Sequence, residues 1–320
     1  MSKFVRILSV FSLLVVVMAI GTGVATADKP DKEAFVVLRP RDTHAANRLP
    51  TGKTNNLSSR GGAVQTATKV YISYWGPEWT TGFTTGGYSS GAAKTYVETF
   101  FGGVGGSNWI KTDNQYCMNV PSGTTDCSTV AGAVLISNPS GQFVAGNAWN
   151  DPTAVPAKPT QSDIAAAAIR LQHQFNPVGP ADPNATYMVF TPTGKSMSGF
   201  GTQWCAWHSS TTSPNGKIAY AYIPYMPDAG ASCGMNFVNG SSDTFGHGYF
   251  DGFSVVAGHE YEEAKSDPFP SSGWLDRFGY ENADKCAWNS LSGNISVGGN
   301  TFAVQPLWSN KSGKCVISTP

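Results

Sequence analysis

Charge is what this chain has least of. Only 13% of its residues are Asp, Glu, Lys or Arg, and 21 basic residues balance 21 acidic ones. A surface without a basic field does not attract a phosphate backbone, so nucleic acid is not an expected partner. No C-x-x-C pair occurs, which argues against a thiolate zinc site or a dithiol redox motif. The chain has no Walker loop and no dinucleotide fingerprint. The run Gly102-Gly103-Val104-Gly105-Gly106 reads as a helix stop and not as a phosphate cradle. Beyond residue 27 no stretch is apolar enough to span a bilayer.

What is present starts with an export signal. Lys3 and Arg6 precede an apolar run from Ile7 to about Ile20, and Ala25-Thr26-Ala27 is an A-x-A-like cleavage site before Asp28. The apolar run is short for a retained anchor, so residues 1–27 are expected to leave a secreted, extracellular chain with no membrane attachment. Six cysteines, an even number in an exported protein, suggest three disulfides. Six cysteines allow 15 pairings, of which the nearest-neighbour set, joining 117 to 127, 205 to 233 and 286 to 315, is the expected one. Five N-x-[ST] sequons, at Asn56, Asn184, Asn239, Asn294 and Asn310, become glycosylation sites only in a eukaryotic host.

Residues 28–66 are polar and aperiodic, and read as a linker or pro-segment, with Val36-Val37-Leu38 able to add one short strand. Residues 67–320 then form a single globular domain, taken as a monomer. Val70–Trp75, Tyr187–Phe190 and Ile218–Tyr225 have strand composition, and Thr129–Ile136 is a weaker strand candidate. Ser90–Phe101 predicts a helix stopped by Gly102-Gly103, and Ser162–Phe175 one capped by Ser162. Phe253–Ser266 predicts a third, stopped by Asp267-Pro268. Alternating strands and helices point to an α+β or α/β domain. The expected architecture is zincin-like: a mixed sheet, an active-site helix at about 253–266 running beneath a cleft, and a disulfide-stapled C-terminal part. Trp75, Trp79, Trp204, Trp207 and Trp274 read as core or loop anchors before they read as a sugar-binding cleft.

The chemistry concentrates at Gly258-His259-Glu260-Tyr261-Glu262-Glu263, which contains H-E-x-x-E. Positions i and i+4 of a helix face the same way and can hold one ion. His259 and Glu263 are therefore candidate ligands, and Glu260 a candidate base for a water at that ion. The chain has only seven glutamates, and four of them, 260, 262, 263 and 281, fall between residues 260 and 281. At about 100° per residue, His259, Glu260 and Glu263 share the arc of Phe253, Val256, Ala257 and Ala264. Glu262 and Lys265 fall opposite, where a solvated face is ordinarily found. Carboxylates turned inward need compensation, either by a divalent metal or by Arg277, Lys285 or backbone amides. Glu281 and Asp284 are candidate third ligands, and Asp267 a group that ligates or orients. His208 is a candidate ligand or oxyanion donor, with Tyr280 an alternative donor. His247 reads as a loop residue, and His44 and His173 as incidental. Zinc is the expected ion, although one His with two carboxylates also suits manganese or calcium.

The segments GHEYEEAKSDP, GW and ENADKCAW, with FAVQPLWSNKSGKC near the C-terminus, resemble secreted bacterial and fungal proteins read as zinc-dependent metallopeptidases. VYISYWG, the FF helix, WCAWHSS and YAYIPY are more faintly similar to the plant phosphate-induced, exordium-like extracellular proteins. The resemblance implies one secreted domain, with His259, Glu260 and Glu263 as site residues and Glu281 or Asp284 nearby. The plant proteins lack the H-E-x-x-E. The reading is therefore a secreted metal-dependent peptidase acting on a protein or peptide substrate. Its alternatives are a non-catalytic exordium-like extracellular protein, and a carbohydrate-active enzyme with a carboxylate pair such as Glu260 and Glu281.

Overall fold

The computed structural model describes residues 35–41 and 55–318. The expected export signal and His44 lie outside them. Among the described residues no helix is long and apolar enough to cross a membrane.

A six-stranded mixed sheet organises the chain. Its strands are β1 (Phe35–Leu38), β2 (Lys69–Trp75), β3 (Ala148–Asp151), β4 (Ala185–Phe190), β5 (Ala206–Ser213) and β6 (Gly216–Ile223). Their order is β1-β5-β6-β4-β2-β3. β3, β2, β4 and β6 pair in parallel, and β5 then turns back antiparallel onto β6 and β1. Parallel strands need crossovers and bury both faces, and all six residues of β4 are buried.

Strand alternation sorts the core into two layers. Val70, Ile72, Tyr74, Met188, Phe190, Ala206, Ala221 and Ile223 face α1 (Ser90–Val104) and the segment leading into α3 (Gly258–Ser266). Trp75, Tyr187, Val189, Trp207, Tyr220 and Tyr222 face α2 (Gln161–Phe175). Trp75, Trp79, Trp204, Trp207 and Trp274 are all buried, as the core reading requires.

The three main strands and α2 fall where the sequence places them, but several details differ. Thr160, not Ser162, caps α2: its hydroxyl accepts the Asp163 amide while the Asp163 carboxylate accepts the Thr160 amide. α1 runs through Gly102-Gly103 to Val104. Gly103 serves close approach instead of a stop, because a Cβ there would stand 2.5 Å from the Gly298 backbone nitrogen. The candidate strand Thr129–Ile136 shrinks to Val134–Leu135, paired with Cys117–Met118. The segment 28–66 is not an unstructured linker where it is described. β1 completes the sheet edge, and Ser58–Ser59 pairs with Trp274–Leu275.

The disulfides are Cys117–Cys127, Cys205–Cys233 and Cys286–Cys315, the nearest-neighbour set. Two of them flank the site residues in sequence. Cys205 immediately precedes β5, which carries His208, and Cys286 follows Glu281 and Asp284 by a few residues.

Candidate metal centre

The expected helix at 253–266 has two parts. A π-helical turn, Phe253–Ala257, leads directly into α3. The wider π turn breaks a wheel drawn at 100° per residue, and such turns recur at functional sites. Gly258 marks the junction, where a Cβ would lie 3.1 Å from Trp109 and 3.3 Å from Phe100. The helix ends as Asp267 NH donates to the Glu263 carbonyl, just before Pro268.

Every residue of α3 is buried, which corrects the two-sided wheel. Glu262 and Lys265 are not solvated. Lys265 Nζ pairs with Glu262 and lies 3.3 Å from Asp113, while Asn282 donates to Asp113. The helix is wedged between two layers, so its second charged face is compensated internally by an ion pair.

The inward face holds the candidate site. His259 Nε2 lies 3.0 Å from Glu263 Oε1 and 3.7 Å from Asp284 Oδ1. His208 arrives from β5. Strand alternation turns it, like Ala206, toward α3 while Trp207 turns to α2. Its Nδ1 lies 3.4 Å from Glu260 Oε2 and 3.5 Å from Glu263 Oε2, and its Nε2 lies 3.6 Å from Glu281 Oε1. Both nominated third ligands therefore reach the cluster, Glu281 beside His208 and Asp284 beside His259.

The donors that might neutralise these carboxylates are engaged elsewhere. Lys285 Nζ pairs with Asp276 at 2.8 Å, and Arg277 is exposed and stacks on Phe278. Both oxygens of Glu260 and of Glu281, Glu263 Oε2 and both nitrogens of His208 are buried without a hydrogen-bond partner. An ionised, unpartnered carboxylate buried in this way costs several kcal/mol unless a proton or a cation compensates it. Two of the amide contacts that do exist are selective. The Asp284 NH donates to Glu263 Oε1 at 2.9 Å. Asp267 instead accepts the amides of Ser271, Ser272 and Gly273, so it shapes the turn after α3 and leaves ligation to others.

The donor spacing fits a divalent ion. Ligand atoms about 2.0–2.2 Å from zinc at right or tetrahedral angles stand about 2.8–3.6 Å apart, and most of the separations above fall in that range. The tautomer of His259 fits as well. Gln305 Nε2 donates to the Ala283 carbonyl at 2.8 Å, leaving its Oε1 to accept the His259 Nδ1–H at 3.1 Å. That turns the Nε2 lone pair toward Glu263, where only a proton or a metal ion relieves the repulsion. Two triads have the spacing to hold an ion, His259–Glu260–Glu263 and His208–Glu263–Glu281. The sequence reading missed Gln305 because it is 46 residues from His259. It lies in FAVQPLWSNKSGKC, one of the segments that carry the resemblance, but nothing local marks it as a partner of His259.

Without a metal these groups trade protons. Burial raises the carboxyls of Glu260, Glu281 and Asp284 above the usual range. Burial also opposes charge on His259, but Glu263, Glu260 and Asp284 outweigh it and lift the imidazole to about 9. Burial likewise works against ionised Glu263, yet His259 and His208 hold it down at about 2. A metal ion would displace protons from such a site.

The other nominated residues stand apart. His247 Nδ1 pairs with Asp243 at 2.6 Å in its loop. Tyr280 is exposed on a turn and not aimed into the cluster by any contact. Glu260 and Glu281, the carboxylate pair of the glycosidase alternative, both face His208.

No protein-family profile, curated protein or solved structure matches the chain. The class that the fold and site define is a disulfide-bonded mixed α/β protein with a buried His-carboxylate cluster.

Proposed function

We propose that the cluster binds a divalent metal, zinc in the first instance, and that the chain is a secreted metal-dependent peptidase of the H-E-x-x-E kind. The carrying observation is the set of buried His and carboxylate atoms that face one another without any other partner. Three disulfides accord with an extracellular setting. The resemblance of the GHEYEEAKSDP segment to secreted zinc-peptidase-like proteins supports the same reading.

His259, Glu263 and Asp284 would hold the ion, with His208 and Glu281 completing the shell. When bound, the metal would polarise the scissile carbonyl. Glu260 acts as the base. Both its oxygens are unengaged, and its raised carboxyl suits proton transfer nearer neutrality than an ordinary glutamate. Its Oε2 takes the proton of the attacking water, and His208 Nδ1, 3.4 Å away, stabilises the ionised carboxylate.

A second reading is favoured by enclosure. His208, His259, Glu260, Glu263 and Glu281 are fully buried, and only Asp284 keeps 13% of its side chain exposed. A closed site suits a structural ion in a non-catalytic, exordium-like extracellular protein. Two substitutions separate the readings. Glu263→Gln is expected to weaken metal binding and, with it, stability. Glu260→Gln is expected to keep the metal and abolish hydrolysis of a casein-type substrate. Metal content and hydrolysis are measured for wild type and both variants. Wild-type protein that retains no zinc or other divalent ion at one equivalent ends the metal reading. Metal retention with no hydrolysis that Glu260→Gln removes leaves the structural ion in its place.

A further inference from the structure

Glu263 is the residue common to both ligand-capable triads. Its two oxygens face different imidazoles. Oε1 is 3.0 Å from His259 Nε2, and Oε2 is 3.5 Å from His208 Nδ1. Each imidazole has its own second carboxylate: Asp284 Oδ1 lies 3.7 Å from His259 Nε2, the nitrogen that also faces Glu263, and Glu281 Oε1 lies 3.6 Å from His208 Nε2, the nitrogen across the ring from the one nearest Glu263. The cluster is thus two half-sites joined through one carboxylate.

The charge count agrees with two ions. Glu260, Glu263, Glu281 and Asp284 together carry four negative charges when ionised, and His208 and His259 are neutral when they ligate. The neighbouring lysines are committed to Glu262, Asp113 and Asp276. One dication leaves two negative charges in the core, whereas two dications cancel all four. The second half-site also gives a partner to one ring nitrogen of His208, both of which are buried with no hydrogen-bond partner.

Resting on the metal reading above, we infer that the protein holds two divalent ions bridged by Glu263. His259 and Asp284 hold one ion, and His208 and Glu281 hold the other. Glu260 stands between them, in the first triad and 3.4 Å from His208. Carboxylate bridging of this kind suits a pair of hard or borderline ions such as Zn²⁺ or Mn²⁺.

The test is stoichiometry and spin coupling on the full mature chain. Protein stripped with a chelator is dialysed against Zn²⁺ or Mn²⁺, metal per chain is measured by atomic emission, and the Mn²⁺ form is examined by electron paramagnetic resonance. Two equivalents are expected, with an exchange-coupled manganese spectrum. His208→Asn and His259→Asn are each expected to retain one equivalent with an uncoupled six-line signal, and Glu263→Gln to lose the coupling. Circular dichroism identifies any variant that fails to fold, and the wild-type stoichiometry and spectrum decide the question without the variants. One equivalent in the wild type overturns the bridged pair and leaves the single-ion site standing. Two equivalents without coupling overturn the bridge. No bound metal overturns both this inference and the site reading beneath it.

Discussion

Two side chains, one a helical turn away and one 46 residues on, set the state of His259. Glu263 faces its Nε2 and Gln305 its Nδ1, and the Trp109 indole NH in turn donates to the Gln305 carbonyl at 2.7 Å. Gln305 therefore acts on the ion only through the imidazole it orients. Gln305→Leu is expected to weaken zinc binding by about 10–100-fold, the usual cost of losing an orienting partner of a ligand. Competition against a chelator of known affinity measures it, and an unchanged affinity would show that His259 is oriented by packing alone. At this scale the H-E-x-x-E was legible, because i and i+4 lie on one helical face whatever surrounds them. Gln305 was not, since nothing local distinguishes a glutamine that orients a ligand from one on the surface.

At the scale of elements, α2 shows how much a terminus contributes. Thr160 and Asp163 form a reciprocal cap, and Thr160→Ala is expected to cost about 1 kcal/mol. Hydrogen bonds from the Thr160 hydroxyl and amide hold the Asp163 carboxyl below the usual aspartate range. A carboxyl lowered on folding stabilises above its unfolded value, about 3.9. That contribution is lost as pH falls through the lower folded value. The stability gap between wild type and Asp163→Ala, read by urea denaturation, should therefore be full at neutral pH and narrow below about pH 4. A gap that stays constant into acid would assign the effect to helix propensity instead. α3 teaches the opposite lesson. A helical wheel expects one wet side, but α3 lies under the sheet with its other side against Asp113 and Asn282, so Lys265 and Glu262 pair in the core. Periodicity reports the preference of a face for burial, and it fails where an ion pair makes a charged face buriable.

For the whole molecule, stability and the site are linked through Cys205–Cys233 and Cys286–Cys315, which anchor the segments carrying His208 and Glu281 with Asp284. Replacing Cys205 and Cys233 by alanine is expected to cost about 2–4 kcal/mol and to lower metal affinity, since β5 then loses an anchor three residues before His208. Saturating zinc should stabilise the wild type, by about 2.7 kcal/mol at a hundredfold excess over its dissociation constant. Chemical denaturation with zinc and with a chelator measures both effects. A wild-type midpoint that zinc does not move would deny that the ion binds the folded state in preference to the unfolded one.

What the sequence by itself determined is local or short in range. The three core strands, α2 and the helix bearing His259, Glu260 and Glu263 follow from spacing and composition, and the three disulfides take the nearest-neighbour set out of the 15 pairings six cysteines allow. Their physical basis is backbone periodicity and short loop closure, which act between residues near in the chain. Only the tertiary structure decided that His208 joins the cluster, that Glu281 and Asp284 both reach it from opposite imidazoles, and that Glu263 stands between the two. Those relations depend on which face of β5 meets α3 and on where the segment around Glu281 is pinned. Packing between layers sets both, and no local pattern encodes it.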